Sequence, residues 1–175
     1  MLILPEHVEL FKQDKVIQSM IPAETLFGFT YWSHMIPPYK PNNILILGYG
    51  KGQVVDLIEK IWGFGIVYTG VDYNDDMKNG SIVIEDAKEF IKNYGIENKP
   101  KFDYTCIDLW NGKTICEDMF EDEFAINLKK INTNMVCFNT YAFDKIRLID
   151  CYVRNGFIFE RSDNVQNNLV SWWSV

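Results

Sequence analysis

Short apolar runs alternate along this chain with stretches whose apolar residues recur every three or four positions. That rhythm, repeated from residue 44 onward, predicts βα units on a parallel sheet. Strands are expected at 44–47, 66–71, 81–84, 104–107 and 135–139, each too short and too rich in β-branched or apolar residues for a helix. Between them VVDLIEKIW carries Val54, Leu57, Ile58 and Ile61 on one stripe, and AKEFIKNY follows Asp86 with Glu89 three positions on, the spacing of a capping box. EDMFEDEFAINLKKI reads as one helix with Phe120, Phe124, Leu128 and Ile131 together, acids first and lysines last, as the helix dipole prefers. AFDKIRLIDCYVRNG ends at Gly156, a natural C-terminal stop. FIFE and NLVSWWSV, joined by polar SDNVQNN, read as an antiparallel hairpin at the sheet edge.

The length of 175 residues suits a single domain spanning 1–175, with a lid segment over 1–40 and a Rossmann-like core over 41–175. A formal net charge of -7 gives no field to gather a phosphate backbone or anionic lipid, so neither nucleic acid nor membrane is the expected partner. The four cysteines, Cys106, Cys116, Cys137 and Cys151, lack metal or redox spacing and read as reduced core thiols of a cytoplasmic protein. The N-terminal MLILPEHVEL is too short an apolar run for a signal peptide, and no segment approaches a membrane span. No group of His, Cys, Asp and Glu has metal-ligand spacing, so no metal is expected.

The candidate chemistry starts at ILILGYGKG, where Gly48, Tyr49, Gly50, Lys51 and Gly52 separate a buried strand from an amphipathic helix. Glycines there let a cofactor approach the backbone at a helix N-terminus. Asp72 ends the next strand 72 − 52 = 20 residues on, where an acid can accept both ribose hydroxyls. Asp86 follows the third strand and suits two roles, N-cap of its helix and acceptor for an adenine amino group, since a carboxylate has lone pairs for both. The spacing is neither GxGxxG nor GxxxxGKS, which favours a nucleoside such as S-adenosylmethionine over a dinucleotide or triphosphate.

Five parallel strands followed by a hairpin is the arrangement of class I S-adenosylmethionine-dependent methyltransferases, a three-layer Rossmann-like α/β sandwich with about seven strands. From about residue 16 to 141 the chain more closely resembles the spermidine synthase-like branch of that fold, through VIQS, YWSHMI, LGYGKG, VDYN, EDAKEF and FDYTCIDLWNG in order. The resemblance implies that Gln18 lies over the cofactor, that Asp72, with Tyr73 beside it, holds the ribose, and that Asp86, with Ala87, reaches the adenine. It places Asp108 beside the reacting centre. Aminopropyltransferases of this branch have GGGDGG where this chain has Lys51, DSSDP where it has DLWNG, so that the second acid is Asn111, and a glutamate where it has His34. These departures disfavour a polyamine and decarboxylated S-adenosylmethionine, and they leave Lys51 two equal readings, a contact with the carboxylate of the intact cofactor or a side chain projecting into solvent from the helix start. Dimerisation is implied only by the resemblance.

The expected activity is therefore methyl transfer from S-adenosylmethionine to a small-molecule acceptor, with aminopropyl transfer and a non-catalytic interaction domain as alternatives. Methyl transfer needs alignment and, for a neutral nucleophile, a base; Asp108 and His34 are the catalytic candidates. Trp32, Trp110 and Tyr141 are suited to walling an acceptor pocket, or to covering the sheet. The (D/N)PPY segment of base amino-methyltransferases is missing after the fourth strand.

Overall fold

The computed structural model describes residues 31–74, 82–96, 99–111, 114–165 and 167–175. In chain order these form α1 (Tyr31–His34), β1 (Asn43–Leu47), α2 (Gln53–Trp62), β2 (Val67–Asp72), β3 (Ile82–Ile84), α3 (Ala87–Ile96) and β4 (Phe102–Ile107). The short strands β5 (Trp110–Asn111) and β6 (Thr114–Ile115) follow, then α4 (Asp122–Ile131), β7 (Asn132–Tyr141), α5 (Lys145–Arg154), β8 (Ile158–Val165) and β9 (Asn168–Ser174). Seven strands make one sheet in the order β3-β2-β1-β4-β7-β9-β8, while β5 and β6 pair separately. The pairs from β3 through β7 are parallel, and β9 runs antiparallel to both β7 and β8.

The strand period of two explains the layers. In β1, Leu45 and Leu47 point into one apolar cluster with Phe90 and Ile91 of α3, Phe124 and Leu128 of α4 and Leu148 of α5. Ile44 and Ile46 point into the other, with Val54, Leu57, Ile58 and Ile61 of α2 and Met35 beyond α1. A central strand covered on both faces must be apolar throughout, and β1 is buried from Ile44 to Leu47. The stripe expected on α2 is the face it buries. No helix among the described residues is long and apolar enough to cross a membrane.

Three expectations shift. The single helix over 117–131 divides into a 3₁₀ turn (Glu117–Phe120) and α4, with Glu121 between them in extended backbone. Both Asp118 and Glu121 reach Lys88 of α3, at 3.3 and 2.7 Å, and Phe120 and Phe124 stay in the same core, so the apolar period conceals the break. Strand β7 begins at Asn132, three residues before the expected start at 135. Asn132 is buried but satisfied, accepting from Thr105 Oγ1 at 2.5 Å and donating to Leu128 O at 2.8 Å. The polar SDNV is strand, because β8 lies at the sheet edge and its Arg161 covers the Trp172 ring at 4.0 Å.

Candidate functional site

The parallel strands β1, β2 and β4 all end at one edge of the sheet, and their following loops open a cleft of about 1020 Å³. The loop after β1 is cinched between its neighbours: Gly48 N and Tyr49 N donate to Val71 O at 2.9 and 3.2 Å, and Asp108 N donates to Leu47 O at 2.8 Å. Gly48 lies so close to β4 that a Cβ on it would fall 2.1 Å from the Asp108 carbonyl oxygen. Glycine is required there by contact as well as by its φ of +80°.

The three carboxylates read from the sequence meet around this loop. Asp72 Oδ2 accepts Gly50 N at 2.9 Å, and its Oδ1 accepts Asn74 N at 2.9 Å. Each oxygen keeps a lone pair for a ligand hydroxyl. Asp86 caps α3: its Oδ1 accepts Lys88 N at 2.9 Å and Glu89 N at 3.2 Å, which leaves Oδ2 for a ligand. Ala87 is buried behind it at the start of α3. Gly48, Gly50, Asp72, Tyr73, Asp86, Ala87 and Asp108 all line the cleft.

Asp108 follows β4 at the floor. Burial pushes its carboxyl up to about 6, and the charge of Asp72 adds to this, while Asn139, Tyr31 and Trp110 pull it back. Asn139 Nδ2 donates to Asp108 Oδ1 at 2.7 Å. Burial, then the Asp108 charge and hydrogen bond, raise the Tyr31 phenol above its ordinary range. Asn139 Oδ1 and Trp110 Nε1 are buried without a hydrogen bond of normal geometry. Trp110 and Tyr141 meet edge to face at 4.6 Å, and both line the cleft. Tyr73 donates to Asn111 Oδ1 at 3.2 Å, joining the end of β2 to the end of β5.

Other candidates lie elsewhere. Tyr49 turns its ring to the opposite side of the loop, where a Cβ on Gly70 would meet it at 2.4 Å, and it packs against the α2 core. Gly52, with a φ of +81°, starts α2, and Lys51 beside it is exposed. His34 Nδ1 lies 3.1 Å from Asp163 Oδ2 of β8. Trp32 meets Tyr31 edge to face at 5.1 Å and packs on the α2 side. Tyr49, Lys51, Gly52, His34 and Trp32 are not among the described residues that line the cleft. Gln18 lies outside the described residues.

Sequence reading missed Asn139, Tyr31 and Asn74 as parts of the cleft. Asn139 had one signal: an amide closing the apolar run VCF, where an ordinary buried strand would continue apolar. The described lining carries the carboxylates Asp72, Glu85, Asp86, Asp108 and Asp118 against the single cation Lys88, itself paired with Asp118 and Glu121. Such a cleft favours a cationic or neutral guest over an anion.

No protein-family model matches the chain. A polyamine aminopropyltransferase of Vibrio vulnificus is 26% identical over 148 residues, which cover 77% of this chain and 47% of that protein. The chain thus spans about half the length of the curated relative it matches. Among solved structures, it is similar to a Streptococcus mutans protein described as a candidate S-adenosylmethionine-dependent methyltransferase, with a TM-score of 0.66 at 11% identity over 86% of this chain and 49% of that one. It is also similar to Aeropyrum pernix fibrillarin, solved with natively bound S-adenosyl-L-methionine, with a TM-score of 0.59 at 14% identity over 77% of this chain and 66% of that one. The fold is that of the class I S-adenosylmethionine-dependent methyltransferases.

Proposed function

We infer that the chain binds S-adenosylmethionine in this cleft and transfers its methyl group to a small-molecule acceptor. The observation that carries the reading is the convergence of Asp72, Asp86 and Asp108 on the glycine loop, with Asp72 bonded to Gly50 N. The residues fit the cofactor. Asp72 offers lone pairs to ribose hydroxyls, Asp86 Oδ2 suits an adenine amino group, and the carboxylate-rich wall suits a sulfonium. When bound, the cofactor supplies an electrophilic methyl carbon. The protein aligns the acceptor beside it and, through Asp108, takes the proton of a neutral nucleophile. A carboxyl raised to about 6 stays mostly ionised at neutral pH yet is a better base than an ordinary aspartate. Trp110 and Tyr141 wall the acceptor end.

Aminopropyl transfer from decarboxylated S-adenosylmethionine is the second reading, favoured by the Vibrio relative and the acidic cleft. Lys51 opposes it less than its place in the sequence suggests, because its side chain is exposed. Asn111 still opposes it, because a neutral amide committed to Tyr73 stands where a polyamine would want a second acid.

Calorimetric titration of the protein with both forms of the cofactor decides between them. Binding of S-adenosylmethionine with weaker binding of the decarboxylated form is the expected result, and the reverse preference establishes the second reading. Binding of neither leaves a domain that keeps the fold as an interaction platform and refutes both.

A further inference from the structure

The register of the sheet makes Asp108 and Asn139 neighbours. Strands β4 and β7 pair Ile107 with Phe138, so the next residue of each, Asp108 and Asn139, falls side by side where the two strands reach the cleft. Asn139 is completely buried, follows Phe138 of one core along β7, and lines the same cleft as the aromatic pair Trp110 and Tyr141. An amide in that place closes the apolar run before it, and Thr140 after it is buried and polar as well. Val136, Cys137 and Phe138 are apolar and equally buried, and an aliphatic side chain would suit the same sheet position without a polar atom to satisfy.

What Asn139 does there is one-sided. Its Nδ2 gives a 2.7 Å, charge-assisted hydrogen bond to Asp108 Oδ1, and its Oδ1 has no partner. The geometry fixes the amide's orientation, because a carboxylate can only accept, so the NH₂ faces Asp108 and the carbonyl oxygen faces elsewhere. We propose that Asn139 is a positioning residue that orients the Asp108 carboxylate and holds it in its charged, proton-accepting form.

Two consequences follow for the chemistry. Asn139 uses one acceptor site of Asp108 Oδ1, and the carboxylate keeps others for the acceptor. The proton that a neutral N–H or O–H nucleophile sheds on reacting passes to this carboxylate. The carboxylate also selects its guest: Asp108 accepts hydrogen bonds, so an acceptor that brings donors is favoured and an anionic carbon or sulfur nucleophile is not.

The groups facing Asp108 come from several elements. Tyr31 of α1, Trp110 of β5 and Asn139 of β7 stabilise its charge, and Asp72 at the end of β2 opposes it. Cys106 of β4 and Cys137 of β7 lie close enough to feel the same charge. Of the hydrogen bonds that stabilise the Asp108 charge, the one from Asn139 has the largest effect, ahead of those from Tyr31 and Trp110.

This inference rests on the reading that Asp108 meets the nucleophile, but its test needs no ligand. The ¹³C resonance of the Asp108 carboxyl, assigned by its loss in Asp108→Asn, is followed against pH in the unliganded full chain. Asn139→Leu is expected to raise the midpoint by about one pH unit, the scale of losing one charge-assisted hydrogen bond. Asn139→Asp is expected to replace the single step with two coupled steps, because two adjacent carboxyls cannot both ionise freely. In the wild type, the Asn139 side-chain NH₂ signals should shift with the same midpoint as Asp108, a measurement that stands even if a variant fails to fold. An Asp108 midpoint unmoved in Asn139→Leu, or Asn139 NH₂ signals indifferent to the Asp108 titration, overturns the proposal. Failure of the cofactor to bind would sink the functional reading while leaving this titration intact.

Discussion

Alanine at Gly48 and at Gly50 should have very different costs, although both glycines belong to the same loop and both have positive φ. A methyl on Gly48 would sit 2.1 Å from the Asp108 carbonyl oxygen and 2.7 Å from its carbon, short of an acceptable contact by roughly 1 Å. Backbone, not a flexible side chain, stands in the way, so β1 and β4 must part or the loop must lift. The left-handed conformation costs a non-glycine residue about 1–2 kcal/mol, and forced overpacking adds about 1–3 kcal/mol. Gly48→Ala should therefore lose about 2–5 kcal/mol. A methyl on Gly50 meets nothing within 4 Å, so only the conformational part applies, about 1–2 kcal/mol. Urea unfolding of the two variants, extrapolated linearly to water, measures the difference directly. Gly50 lines the cleft, so this variant should weaken S-adenosylmethionine binding while remaining well folded. Equal stability of the two variants within ~0.5 kcal/mol would refute the claim that close approach to β4 makes Gly48 obligatory.

Asp108→Asn should stabilise the protein at neutral pH while abolishing transfer. The folded carboxyl binds its proton more tightly than the unfolded one, so wild-type stability falls as pH rises from about 4 to about 6 and stays reduced above, by up to about 3 kcal/mol; urea unfolding at pH 4 and pH 7.5 should show that slope in the wild type and its absence in the variant. Asp72→Asn leaves only one oxygen to serve Gly50 N and Asn74 N, so it should cost about 1–2 kcal/mol and lower nucleoside affinity at least about tenfold by calorimetry. Lys51→Asp, at an exposed side chain, should change S-adenosylmethionine affinity by no more than about threefold, an effect that 0.5 M salt removes; a larger, salt-resistant loss would give Lys51 a direct contact. His34→Gln, away from the described cleft, should leave the transfer rate within about threefold of wild type and cost about 1 kcal/mol through the lost Asp163 partner.

The parts legible in the sequence were those governed by short-range rules. Apolar runs located β1, β2 and β4, and the glycines with Asp72, Asp86 and Asp108 marked the strand ends that open the cleft. Relations across the sheet were less visible. The extent of β7 depended on Asn132 finding Thr105 and Leu128, and that of β8 on Arg161 finding Trp172, so polar residues outside the expected strands proved to be paired strand. The same limit hid Asn139, whose role depends on a register that only the folded sheet defines. Tyr49 and Lys51 illustrate the converse. Adjacency to glycines in sequence does not fix where a side chain goes: the Tyr49 ring packs by Gly70 and the α2 core, and Lys51 beside it is exposed, one of its two expected placements.

The Tyr49 ring lies under the loop against Gly70, so closely that a Cβ at Gly70 would come within 2.4 Å of it. The two positions are therefore expected to change together. With the ring where it lies, a side chain at position 70 requires the tyrosine to move or a smaller residue to replace it. A change at 49 that opens the space should make a later change at 70 acceptable, so substitutions at this pair are expected to carry an order.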